Sequence, residues 1–492
     1  MATASTYLSV AFALALAAQP AFGQQLRGTL DEKPFLAGGS SDEGEAETTG
    51  SVTRKPKAEP VAPRPASGSI AARNAEADQR YLEDNPLTAS LPEPERPPDP
   101  ADDLAPETAP AVPPEDDPFA APGIRVGAFT LKPSFEASAG YTDNAGASAT
   151  DKRSSAVWRS VPALDFESGW SRHSLSGSAK WTREDYSIPE QRDRETIDAS
   201  IRGRLDVSSL TVAEGSLAYN KGQESISDPD VPATAAAEPD IETLSGEASI
   251  ERRFGRFLAG LFGEYERTWH ESVADSGGGT IDNSDRDYHS VTGGLRLGYE
   301  VSDRTTVFAE AFRGKTTYDR PVDDDGYQRG STSHGVAAGV RLNRALVTGE
   351  ARIGYRITDP DDPSFAEIRG LIADVSLSWQ ATPLTSISLE ASAGLGETVV
   401  AGASGVRETS VTVSAEHALR RNLIATGSLG WQRADYVGTG QREDVVTAEA
   451  GLEYRMNRYA ALRGAYRFER SDPGSGSGYD VNTVTFGIIL RR

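Results

Sequence analysis

From Phe129 to the end of the chain, apolar and polar side chains alternate in run after run. The first run puts Phe129, Leu131, Pro133, Phe135, Ala137, Ala139 and Tyr141 on one face, with Thr130, Lys132, Ser134, Glu136, Ser138, Gly140 and Thr142 between them. Successive side chains of a strand point to opposite faces, so this run has one apolar and one polar face. It is longer than an ordinary globular strand and ends at the turn signal Asp143-Asn144. About 9–11 tilted residues carry a strand across a bilayer. A soluble sandwich accounts for one such strand but not for the repetition of the pattern to Leu490.

The later runs keep the design. Examples are Ala156–Trp170, Ile197–Val207, Phe257–Tyr265, Val291–Val301, Val347–Tyr355, Leu371–Trp379, Leu423–Trp431, Val446–Tyr454 and Val484–Leu490. The count is about 18, with 16 as the alternative; single-chain bacterial barrels have an even number. Short connections such as Ser208-Ser209, Arg253–Arg256 and Asn457-Arg458 alternate with long ones such as Gly222–Asp240, Thr268–Asp285 and Thr316–Gly330. Outer-membrane barrels alternate short periplasmic turns with long extracellular loops in this way. Aromatics recur near run ends, at Tyr141, Trp170, Tyr219, Tyr265, Tyr299, Trp379, Trp431 and Tyr454, as an interfacial girdle would place them. The expected fold is therefore all-β, an antiparallel transmembrane barrel over residues 123–492.

A hydrophobic content of 37% is low for a helical membrane protein but suits a barrel, where only alternate residues must be apolar. The net charge of -23 argues against nucleic acid as a partner. The absence of cysteine removes disulfides and thiolate metal sites. The five histidines, His173, His270, His289, His334 and His417, lie near turns and run ends with no motif around them. No catalytic residue, metal site or cofactor is expected. Asp323-Asp324-Asp325-Gly326 and Asp359-Pro360-Asp361-Asp362-Pro363 do not match the twelve-residue calcium loop and read as solvated loop acids.

Before the runs the chain is of another kind. Leu8–Ala18 followed by Ala21-Phe22-Gly23 reads as a signal peptide over residues 1–23, although Met1–Val10 has no Lys or Arg. Residues 24–122 are acidic and proline-rich, as in Pro113-Pro114-Glu115-Asp116-Asp117-Pro118. Such a segment buries too little apolar surface to offset its ordering entropy, so a disordered periplasmic tail is expected, with a short helix near Ser69–Leu82.

The polar set of the runs holds Arg202, Arg204, Glu214, Arg296, Glu310, Arg341, Glu350, Arg352, Glu449, Glu453, Arg455, Arg463 and Arg467. Facing lipid, each would cost ~2–4 kcal/mol near the midplane, so they are expected to face a lumen. They either line a water-filled pore or pair across strands to hold the wall in shape.

The entry segment F-A-A-P-G-I-R-V-G-A-F-T-L-K-P-S-F-E-A-S-A-G-Y-T-D-N, behind a signal peptide and an acidic tail, resembles the outer-membrane beta-barrel porin family, type two, of alphaproteobacteria. Gly123-Ile124-Arg125-Val126-Gly127 corresponds to the lead-in and Phe129–Tyr141 to the first strand. Phe486, Ile488 and Leu490 precede Arg491-Arg492, where many barrels end in an aromatic assembly signal. The resemblance implies passive diffusion of small hydrophilic solutes through an outer-membrane channel. It leaves open a role in exopolysaccharide or capsule export and a non-conducting structural barrel. The expected partners are outer-membrane lipids, lipopolysaccharide and the barrel-assembly machinery; the oligomeric state stays open. Gly222–Asp240 follows the fifth run, where general porins fold a loop into the lumen. Its Asp228, Asp230, Glu238 and Asp240 would then face Arg202 and Arg204 across a constriction; the alternative is an outward loop that touches nothing.

Overall fold

The computed structural model describes residues 118–188, 193–224, 230–232, 234–474 and 478–492. The expected signal peptide, the tail up to Asp117 and the Ser69–Leu82 helix lie outside them. A short β1 (Ile124–Val126) leads into β2 (Phe129–Thr142), β3 (Ser155–Ser168), β4 (Ser174–Tyr186) and β5 (Arg194–Ser208). Next come β6 (Thr211–Gln223), β7 (Asp240–Phe254) and β8 (Phe257–His270). A small hairpin, β9 (Val273–Ala274) with β10 (Thr280–Ile281), and one 3-10 turn at Ser284–Arg286 interrupt the long strands. These resume with β11 (Tyr288–Ser302), β12 (Thr305–Tyr318), β13 (Ser331–Arg344), β14 (Val347–Pro360) and β15 (Ile368–Thr382). They finish with β16 (Thr385–Gly396), β17 (Gly405–Arg420), β18 (Leu423–Val437), β19 (Arg442–Arg455), β20 (Ala460–Asp472) and β21 (Tyr479–Arg491).

Each long strand pairs antiparallel with its chain neighbour, β8 pairs with β11, and β21 returns to β2, from Phe135↔Leu490 to Thr142↔Thr483. The result is a closed barrel of 18 strands. Closure leaves no long edge, which is what lets strands cross hydrocarbon. Among the described residues, no helix is long and apolar enough to cross a membrane.

The strands reach beyond the sequence runs because their outer ends are polar on both faces. Trp170 is an exception in the other direction: it falls in the turn after β3 and packs edge-on against Phe129 at 5.4 Å. Proline positions follow the hydrogen-bond pattern, since proline has no N–H to give a ladder. At Pro162 the β3–β4 ladder breaks between Ser160↔Arg183 and Ala163↔Lys180. Pro133 sits just past the end of the β2–β21 ladder, and its carbonyl accepts the Arg492 N–H at 3.0 Å. Beyond that point β1 folds back through Gly127, at φ +62°, and pairs with Phe129–Leu131. The stagger that closes a barrel leaves this piece of β2 uncovered by β21, and the lead-in covers it.

The alternation places the apolar set outward. Leu261, Leu295, Leu297, Val336, Leu371, Leu429 and Phe486 are exposed on the outer surface, with Tyr141, Trp181, Tyr265, Tyr355, Trp379 and Tyr454 near strand ends. Among the described residues burial occurs inside the lumen and among the long loops, not in one central core.

The short turns lie at one end of the barrel and the long loops at the other. If the long-loop end faces outward, an Asp325→Cys label in the 319–330 loop reacts with an impermeant maleimide on intact cells, whereas Arg458→Cys does not. The reverse labelling would overturn this orientation.

Candidate channel lumen and mouth

The inward face is a lattice of opposed charges set by register. Arg204 stands opposite Glu214, Arg296 opposite Glu310, Arg341 opposite Glu350, Arg352 opposite Asp374, Glu449 opposite Arg467 and Glu453 opposite Arg463. Each is a direct cross-strand pair, the unit that stabilises a sheet face. Arg296 bonds Glu310 through Nε and reaches Glu350 at 3.1 Å. Arg352 donates to Glu310 at 3.1 Å and to Asp374 at 2.8 Å, and Arg341 to Glu350 at 2.9 Å. Arg341 also approaches Glu251 of β7 at 3.7 Å. Since β8, β11 and β12 separate β7 from β13 in the wall, that contact cuts across one sector of the lumen.

Aromatic side chains fill the space around this network. The Phe308 ring lies on Gly339 and the Phe312 ring on Gly335, where any Cβ would collide with them. The Arg296 guanidinium stacks 4.3 Å from the Phe308 centroid and that of Arg356 5.4 Å from Phe312. Leu258, Phe308, Phe312 and Ile372 are buried here, and the inward Phe262 ring lies against Gly294.

In the opposite part of the wall, links run from Glu136 to Arg463 at 2.9 Å and Arg159 at 3.8 Å, and from Arg159 to Glu184 at 3.4 Å. Glu453 gathers Arg455 at 3.2 Å, Arg463 at 3.1 Å and Arg491 at 3.3 Å. Arg204 reaches Glu214 at 2.8 Å and Asp206 at 3.2 Å. The Arg204 and Glu214 side chains are 47% and 52% exposed, whereas Glu310, between two guanidiniums, is 0% exposed. Exposure varies within both parts of the wall: between β7 and β15 Asp374 is 52% exposed and Glu310 0%, and between β2 and β6 Glu214 is 52% exposed and Glu136 12%.

Buried and exposed pairs differ in energetics. Leaving a buried charge without its partner costs about 3–5 kcal/mol, whereas an exposed pair contributes up to about 1 kcal/mol. Glu310→Gln, which leaves Arg296 and Arg352 short of charge, is expected to lower stability by roughly that larger amount, and Glu214→Gln by the smaller. Urea unfolding in detergent, followed by the heat-modifiable gel shift, measures both; equal losses would remove the distinction.

At the long-loop end five loops meet over the opening. Arg286 donates to both oxygens of Glu224, at 2.8 and 2.6 Å, and both side chains are buried. His270 stands beside them, 3.8 Å from Glu224 and 3.3 Å from Asp287. Arg329 bonds Asp323 at 2.6 Å and the carbonyls of Thr398, Val399 and Ala403 at 2.9–3.1 Å. Its guanidinium packs about 5 Å from the centroids of Tyr327 and Phe365, whose rings touch each other at 4.9 Å. Asp230 accepts the Thr398 hydroxyl and the Val399 N–H, each at 2.8 Å. The Asp230 loop follows β6 and the Thr398 loop follows β16, on nearly opposite sides of the barrel, so this contact crosses the mouth. The Ala235↔Asp275 bridge ties the Asp230 loop to the β9–β10 hairpin, over a small core of Val231, Ala235 and Val273. Burial pushes the Glu397 carboxyl above its usual range, against the Ser331 and Thr316 hydroxyls bonded to it.

The sequence candidates fall into place unevenly. Arg296, Glu350 and Arg352 join one network, Glu453 and Arg455 another, and Arg204 pairs with Glu214. Arg202 lies on the same inward face, opposite Ser176 and Ser216, and Glu449 stands exposed opposite Arg467. The loop acids have rim partners: Asp230 the Thr398 loop, Glu238 Arg194 at 3.0 Å, and Asp240 Lys221 at 3.4 Å. Asp228 lies outside the described residues. Several of the acids read as solvated have partners instead: Asp323 is buried on Arg329, Asp324 holds Arg320 at 2.8 Å and Asp361 holds Lys315 at 2.7 Å. The Ser364 hydroxyl and the Gln328 N–H hold the Asp362 carboxyl below its ordinary range.

Arg329, Arg286 and Glu224 did not stand out in the sequence, since no run or motif marks them. Arg329 is the residue most loop contacts converge on. Arg329→Ala is expected to free the 397–404 loop and speed amide hydrogen exchange over Thr398–Ser404 by at least about tenfold, while strands β11–β14 keep their protection. Unchanged exchange would show that the loop holds without it.

No curated protein matches the sequence. Among solved structures, the copper transporter OprC overlaps with a TM-score of 0.40 at 10% identity, covering 75% of this chain and 82% of that one. The siderophore receptor PirA from Pseudomonas aeruginosa gives 0.34 at 9% identity, covering 74% and 80%. The siderophore receptor PiuA from Acinetobacter baumannii gives 0.36 at 9%, covering 75% and 82%. The family model described as Putative beta-barrel porin 2 matches residues 117–492, and with its closed barrel and charged lumen the chain belongs to that family.

Proposed function

We propose that the protein is an outer-membrane channel for passive diffusion of small hydrophilic solutes. Its passage runs beside the half-exposed charges of the inward face, such as Arg204, Glu214 and Asp374. The observation that carries this reading is the exposure of charge on the inward face: Arg204 and Glu214 stand half open, and Asp374 with them, while Glu310 alone of these is fully covered. Opposed charges in a narrow water-filled passage set up a transverse field that is screened less than in bulk water, and such a field sorts solutes by charge and size. The loops joined through Asp230, Arg329 and Arg286 narrow the entrance, so the reading is of a small channel and not a wide one.

The test is single-channel recording of the purified, folded protein in planar bilayers. Small, steady conductance is expected. Replacing Arg202 and Arg204 together with Ala is expected to shift ion selectivity toward cations by severalfold, since two positive charges leave the inward face while Glu214 remains. A folded barrel that conducts no ions would overturn the channel reading and leave a structural barrel as the better account.

A further inference from the structure

We propose that the lipid-facing surface of β8 and β11–β13, at the long-loop end, binds the phosphate of an outer-leaflet glycolipid, the lipid A of lipopolysaccharide, through Arg313. This rests on the membrane placement of the barrel and not on the channel reading. Arg313 belongs to the outward set of β12, in phase with Val307, Ala309 and Ala311, and is exposed. In register it lies between Gly293 of β11 and His334 of β13. Gly293 in turn faces Gly263 of β8. A Cβ placed on Gly263 or Gly293 would meet nothing nearer than 3.8 Å, so the two glycines form a bare floor beside the guanidinium. Exposed Leu261 and Leu295 bound that floor on the membrane side, and Tyr265 and Val291 on the loop side. The shape is a shallow trough for an acyl chain, ending at a cation.

The charges around it decide which cation is available. Arg267 is held by both oxygens of Asp319, at 2.6 and 2.5 Å, and Lys315 by both oxygens of Asp361, at 2.8 and 2.7 Å. The Arg267 bonds hold the Asp319 carboxyl below its ordinary range, so that pair stays ionic. Among the described residues Arg313 has no hydrogen bond or ion pair. It sits two residues nearer the membrane than Lys315, where the apolar band gives way to polar residues. An arginine facing lipid at that depth is favoured when an anionic headgroup meets it, and a guanidinium binds phosphate through two parallel N–H bonds. A second copy of the chain is the poorer occupant. In a two-fold pairing of this face, Arg313 would meet the basic residues of the same patch on its partner.

Native mass spectrometry of the full-length protein in detergent, titrated with purified lipid A, reads the site. The unmodified protein is expected to retain one lipid A, and Arg313→Ala to bind it roughly tenfold more weakly. Gly293→Phe, which fills the trough and leaves Arg313 in place, is expected to weaken it as well. Arg252→Ala, on the outward face near the short-turn end, is expected to change nothing. The heat-modifiable gel shift checks that each variant is folded, and if Arg313→Ala fails to fold, Gly293→Phe decides. Equal retention by the unmodified protein and Gly293→Phe or Arg313→Ala would overturn the proposal. So would phosphatidylglycerol binding as tightly as lipid A in the same titration, or a dimer that Arg313→Ala abolishes.

Discussion

Backbone N–H and C=O groups inside hydrocarbon have no water to bond, and everything else in this molecule follows from satisfying them between strands. A strand ladder satisfies them only if it has no edge, and a sheet has no edge only if it closes. Closure requires β21 to meet β2, and the stagger of the closed sheet leaves Phe129–Leu131 without a partner from β21. The short β1 covers that gap, and the Arg492 N–H takes the Pro133 carbonyl beside it. The lead-in, which appears in the sequence as a motif, has a structural purpose here: it finishes the ladder at the seam.

Closure also fixes which way every side chain points. A one-residue slip would send the whole charged set into lipid, so the register is strongly specified. The inward charges are then forced into company, and the wall resolves that company in two ways. Some, such as Glu310, are covered by neighbouring guanidiniums and aromatic rings. Others, such as Arg204 and Glu214, stay half exposed. Replacing the first kind by apolar residues of matching shape would cost little in principle, since desolvation consumes much of the gain of a buried pair. The exposed pairs contribute still less to stability.

The sequence made the barrel legible because period-2 alternation is a local signal that repeats. The count of strands and the alternation of short and long connections needed no tertiary information. Cross-strand pairs such as Arg204–Glu214 were half legible: both residues lie in the polar set, but which stands opposite which depends on register. The filling of the lumen was not legible. Phe308 and Phe312 occupy inward positions where polar residues were expected, and they fit because Gly339 and Gly335 lie opposite them on β13. Nothing in the β12 run by itself distinguishes that arrangement from a break in the pattern.

The loops were the least legible part, for a physical reason. A strand residue is placed by its neighbours along the ladder, whereas a loop residue is placed by whatever it meets in space. Arg329 lies about seventy positions from the carbonyls it holds, and Asp230 about 170 from Thr398. Acid-rich stretches such as Asp323-Asp324-Asp325 look solvated in isolation, yet one of the three is buried because a single guanidinium reaches it. The same argument explains why the lipid-facing residues divide as they do. Arg267 and Lys315 lie close enough to the loops to find carboxylates there, while Arg313, deeper on the same strand face, lies beyond their reach and depends on the membrane for its counter-charge.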